Sequence, residues 1–121
     1  MEDKQMSKWV AAGVIEGKNG IELKEIMEIV CLVFGREESE VNTNSRRRDL
    51  VTPRHVFCYL SKKYTDKILK EIGDYISKDH SSVYHSITST ENLMETDKRI
   101  DDLVKKCEMK IEGTIGQLIK I

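Results

Sequence analysis

Four consecutive residues, Asp79, His80, Ser81 and Ser82, bring together a carboxylate, an imidazole and two hydroxyls. Those are the group types of nucleophilic catalysis. Their spacing argues against it, because neighbours on a helix project about 100° apart and do not converge on one reacting atom. No Gly-rich phosphate loop, metal-ligand spacing or pair of acids accompanies them, so no enzyme and no cofactor is expected. Short donors and acceptors suit a different chemistry. At the first turn of a helix they can reach base edges in the major groove of DNA, and Asp79 can also cap that helix. An ordinary helical hairpin with a polar first turn is the other reading that spacing leaves open.

The elements that must position these residues are short helices. Ile68, Leu69, Ile72 and Ile76 recur at helical spacing, as do Val83, Ile87 and Leu93, with Ser77-Lys78-Asp79 as the turn between the two stripes. Upstream, residues 21–34 form an amphipathic helix stopped by Gly35, and 36–45 read as a polar loop with Val41 tucked inward. Thr52-Pro53 reads as the start of a helix to about Tyr64, with Val56, Phe57 and Leu60 buried and His55 on the surface. A turn near Thr96-Asp97 precedes a last helix carrying Ile100, Leu103, Val104, Cys107 and Ile111, which Gly113 and Gly116 are expected to interrupt. The fold class is therefore all-α. The organisation is an N-terminal extension over 1–20, one domain over 21–112 and a tail over 113–121.

Charge separates along the chain. Residues 1–45 hold five basic and nine acidic side chains, 46–79 hold nine and five, and 80–121 hold six and seven. A basic centre of +4 between acidic flanks is a local footprint for phosphate, although the net charge of −1 predicts weak, salt-sensitive binding. Cys31, Cys58 and Cys107 have no paired spacing and read as reduced core or boundary thiols of a cytoplasmic protein. No apolar run is long enough to span a bilayer, so no membrane partner is expected.

The run from Ser45 to His85 resembles the C-terminal DNA-binding domain of the DnaA family, the bacterial chromosomal replication initiators. The resemblance rests on Arg46-Arg47-Arg48, Val51, Pro53-Arg54, Tyr59-Leu60, Lys62, Tyr64-Thr65, Glu71-Ile72-Gly73-Asp74, Asp79-His80-Ser81-Ser82-Val83 and His85. It extends at lower strength over residues 21 to 110. It implies a helix-turn-helix domain of five to six helices, with double-stranded DNA as partner and a nucleoid-associated, cytoplasmic location. Asp79, His80, Ser81 and Ser82 would then meet bases or nearby phosphates. Arg46 would enter the adjacent minor groove, where a narrow A·T-rich groove concentrates negative potential. Leu69 and Lys70 would flank the major groove. Lys62, Lys63, Lys70 and Lys78 would hold the backbone, and Arg47 and Arg54 complete the DNA-binding set. Nothing here resembles the family's ATPase module, so no nucleotide is expected and a stand-alone module is expected.

Three departures bear on that expectation. The turn Ser77-Lys78-Asp79 is one residue shorter than the family's Gly-Gly-Arg-Asp and lacks both glycines, so Ser77 is expected to leave any left-handed geometry. Ser81 and Ser82 replace two threonines and lose methyls that can rest on thymine, at about 1 kcal/mol for one such contact. Thr88-Ser89 stand where a basic pair is usual. These features also motivate a second reading. In it the module keeps the fold without DNA affinity and binds a replication protein, or itself, through Trp9 or the Ile-rich tail.

Overall fold

A computed structural model describes residues 20–119, and every regular element among them is helical. The elements are α1 (Leu23–Phe34), α2 (Glu38–Val41), α3 (Arg48–Tyr64), α4 (Leu69–Ile76), α5 (His80–Thr96) and α6 (Lys98–Ile119). Trp9, considered above as an anchor for a protein partner, lies outside the described residues, as do residues 120–121 of the tail. No described helix is long and apolar enough to cross a membrane.

Helix α3 is the axle of the domain, packing most extensively on α5 and also on α1, α2 and α4. Its Val56, Phe57, Leu60 and Tyr64 are fully buried, the spacing that puts one stripe inward. Helix α1 faces it with Ile26, Met27 and Val30, and α6 packs on α1 and α5 and buries Val104, Cys107, Ile111 and Ile115. All three cysteines are free and buried. Burial pushes the thiols of Cys58 and Cys107 up to about 12, so they remain protonated.

Helix ends follow their local chemistry where the chain carries it. Gly35 takes the left-handed C-cap conformation of α1 (φ 70°), and the Glu22 N–H donates to Glu25 Oε1 at 2.9 Å at its start. Elsewhere packing overrides it. Helix α3 begins at Arg48 rather than at Thr52-Pro53, with Pro53 inside it. Leu50 and Pro53 are both buried, so extending the helix by a turn buries apolar surface despite the N–H that proline lacks. Gly113 and Gly116 do not interrupt α6, which runs on to Ile119. An exposed helical glycine costs only about 1 kcal/mol, and Ile111 and Ile115 pin the flanking turns. Residues 36–45 also contain the single-turn α2, whose Val41 is fully buried as expected.

Candidate nucleic-acid interface

The hairpin α4–α5 presents the polar tetrad. The Ser82 N–H donates to Asp79 Oδ1 at 2.8 Å, the expected N-cap of α5, and this bond holds the Asp79 carboxyl below its usual range. Asp79, His80, Ser81 and Ser82 are all exposed, while Val83, Ser86 and Thr90 turn inward against α3. The polar first turn is thus open to solvent, and the same face continues with Tyr84 (62% exposed) and His85.

The turn before α5 is built differently from expectation. Ser77 keeps the left-handed conformation at φ 59°, ψ 44°, the one non-glycine residue with positive φ among those described. The Lys78 N–H donates to the Gly73 carbonyl at 2.9 Å, closing the C-terminus of α4 over itself. That bond brings the Lys78 backbone directly onto Gly73, where a Cβ would overlap the Lys78 carbonyl oxygen and press on Val83 at 3.2 Å. Serine tolerates the left-handed state because the closure needs it there.

The arginine loop is fastened to this hairpin. Asn42 Nδ2 donates to the Tyr75 carbonyl at 3.2 Å, the Tyr75 hydroxyl to Glu38 at 2.8 Å, and Lys78 Nζ to Asn44 Oδ1 at 2.9 Å. Phe57 packs on the Tyr75 ring with centroids 5.4 Å apart. The segment delivering Arg46 and the turn delivering Asp79 are therefore hydrogen-bonded to each other.

The cations named from the sequence divide into three groups. Arg46 and Lys62 are exposed and have no side-chain partner among the described residues. Arg47, Lys70 and Lys78 are engaged at the surface. Arg47 reaches Asp49 at 2.7 Å, Lys70 reaches Asp74 at 3.2 Å, and Lys78 holds the neutral Asn44. Exposed pairs of this kind are worth little and can exchange for phosphate. Arg54 and Lys63 do not fit the expectation. Arg54 is only 6% exposed and its Nε donates to the Val41 carbonyl at 2.9 Å, so its guanidinium serves the α2–α3 junction. Lys63 is held half-buried against Glu108 at 2.7 Å, next to the bond from the Tyr64 hydroxyl to Glu112 at 2.6 Å. Leu69 is partly buried and packs on the core at the start of α4.

Two histidines meet behind the tetrad. His55 is half-buried rather than a surface residue, and its ring lies 6.0 Å from that of His85 in an edge-to-face arrangement. Burial first, then His85 and Arg54, push the His55 imidazole down to about 4, so it is neutral at neutral pH. Thr88 turns its hydroxyl back onto the His85 carbonyl at 3.0 Å.

Two exposed groups escaped the sequence reading. Tyr84 lies three residues past Ser81, a spacing that signals one face of a helix, and Arg99 opens α6. Arg46, Arg48 and Arg99 line one surface crease of about 930 Å³ between α3, the second half of α5 and α6, with Ser89 and Leu93 on its wall.

Residues 23–89 match the family described as bacterial dnaA protein helix-turn-helix. Among curated relatives, the chromosomal replication initiator protein DnaA of Bacteroides thetaiotaomicron is 32% identical over 108 residues, covering 88% of this chain and 23% of that protein. The DnaA of Bacteroides fragilis is 35% identical over 94 residues, 71% of this chain and 20% of the relative. That of Wolbachia pipientis wMel is 31% identical over 87 residues, 71% and 19% respectively. The chain spans about a fifth of the length of these relatives.

Proposed function

The chain belongs to the family of bacterial DnaA helix-turn-helix domains, and from that premise we propose that it binds double-stranded DNA sequence-specifically, at DnaA-box-type sites. Its place would be in replication or transcription control, at the nucleoid. The observation that carries this is the exposure of Asp79, His80, Ser81 and Ser82 at the start of α5, with Arg46 held on a loop fastened to the same turn. Helix α5 enters the major groove by its first turn. Arg46 enters the neighbouring minor groove, and Lys62, Lys70 and Lys78 with Arg47 meet phosphates on either side. Because the Asn42–Tyr75 and Tyr75–Glu38 bonds tie the loop to the hairpin, the two grooves are read at a fixed separation even when Lys78 exchanges Asn44 for phosphate. That rigidity lowers the ordering cost of binding.

The test is titration of a duplex carrying a DnaA-type box against a scrambled duplex at moderate salt. A clear preference for the box is expected, and Arg46→Ala should abolish most of it. Equal affinity for the two duplexes would overturn sequence specificity.

A second reading is favoured by the internal commitment of Lys63 and Arg54, which leaves fewer free cations than the sequence promised. In it the domain binds a replication protein instead of DNA. Failure to bind any duplex at low salt, together with self-association or a stable complex with an initiator, would select it.

A further inference from the structure

We infer that Arg99, with Arg48, forms an additional phosphate-binding site at the crease beside α5, extending the DNA contact beyond the α4–α5 hairpin. This rests on the DNA-binding reading above. The crease is lined by four guanidinium groups, Arg36, Arg46, Arg48 and Arg99, against two carboxylates, Asp49 and Asp97. Asp49 is ion-paired, whereas Asp97 caps α6 and leaves one negative charge against the four guanidiniums. Asp49 accepts from Arg36 at 2.9 Å and from Arg47 at 2.7 Å, and Asp97 Oδ1 accepts the Arg99 N–H at 3.0 Å at the start of α6. His55, also on the wall, is neutral. The guanidiniums of Arg46, Arg48 and Arg99 are exposed and carry no ion pair or hydrogen bond among the described residues.

The other cations of the first two turns of α6 are matched at i, i+4, Lys98 with Asp102 at 3.2 Å and Lys105 with Asp101 at 3.1 Å. Three unpaired guanidiniums facing one concavity repel one another and are relieved by an anion between them. A guanidinium binds phosphate oxygens bidentately. Since Arg46 borders the same crease, a duplex seated on Arg46 would run its backbone past Arg48 and Arg99. Neither Arg48 nor Arg99 meets a base there, so both act without regard to sequence.

The experiment measures affinity for the box duplex and its scrambled counterpart over a range of salt. Removing one phosphate contact lowers the slope of log K against log salt by about 0.9. For Arg99→Ala the wild-type-to-variant affinity ratio should therefore fall about three- to fourfold between 50 and 200 mM salt, equally on both duplexes. Arg99→Lys should restore most of the slope. Lys106→Ala removes the same charge from an exposed site of α6 outside the crease and should leave the slope unchanged. An unchanged slope for Arg99→Ala in a chain that prefers the box would overturn the site while leaving the recognition reading intact. A slope change shared by Lys106→Ala would reduce it to the general field of the protein, and a wild-type chain that binds neither duplex would overturn both.

Discussion

Gly73→Ala should destabilise the domain, although helix propensity alone says the opposite. Gly73 is buried inside α4, and replacing a helical glycine by alanine is ordinarily worth up to about 1 kcal/mol of stabilisation. Here the new methyl would occupy the space of the Lys78 carbonyl oxygen and sit 3.2 Å from Val83 Cγ2. The obstacle is backbone, and it is held: the Lys78 N–H is bonded to the Gly73 carbonyl at 2.9 Å and its ammonium to Asn44 at 2.9 Å. Forcing the turn open costs about 1–3 kcal/mol of overpacking and about 1 kcal/mol for the bond. Subtracting the propensity gain leaves a loss of about 2 kcal/mol. For a domain of this size that is a fall in Tm of roughly 10 °C, read by circular dichroism on heating and checked by urea titration. Gly113→Ala is the matched control, since no atom lies within 4 Å of its Cβ position and the helix is exposed there. It should gain about 0.5–1 kcal/mol. If Gly73→Ala melts at or above the wild-type temperature, the close approach of the turn to α4 is wrong, and with it the aim of α5.

Ser77→Gly should stabilise by about 0.5–1 kcal/mol, because the left-handed conformation at φ 59° strains a side chain more than glycine's extra entropy costs; a lower Tm would refute the strain. The depressed His55 pKa sets a pH dependence of defined sign. The folded imidazole titrates at about 4 and the unfolded one near 6.5, so between those values the unfolded chain binds the extra proton. Stability is complete above pH 6.5 and falls as the pH drops towards 4. The full shift corresponds to about 3 kcal/mol, which solvent around this half-exposed ring reduces to about 1–2 kcal/mol. His55→Gln should flatten urea-derived stability between pH 7 and 4.5, and an unchanged slope would assign the dependence to other groups. Arg54→Ala should cost about 2–3 kcal/mol by leaving the Val41 carbonyl unpartnered and a void beside it, yet keep the wild-type salt slope for DNA; a reduced slope would return Arg54 to the interface.

What the sequence made legible is what neighbouring residues decide among themselves. Asp79 caps α5 because its carboxylate needs only the N–H three residues on, Gly35 ends α1 because glycine accepts φ 70° at no steric cost, and the apolar stripes of α3 and α6 lie inward as spaced. What escaped depends on partners far along the chain. Lys63 looks solvent-facing from its own helix and is taken by Glu108, 45 residues away. Arg54 matches a DNA-binding pattern and is withdrawn by Val41, 13 residues before it. Pro53 reads as a helix start, but burial of Leu50 carries α3 a turn further back. The crease around Arg99 could not be read at all, since it exists only where α3, α5 and α6 meet.

The shortened turn shows how these two kinds of information combine. Loss of its glycines argues for a changed backbone, and serine is a poor left-handed residue. Yet Ser77 adopts that state, in a turn that closes Lys78 N–H onto the Gly73 carbonyl while Val83 lies fully buried beside Gly73. The strain of one residue is smaller than the packing it preserves. The constraint that aims α5 therefore sits at Gly73, the glycine that remains, rather than at Ser77.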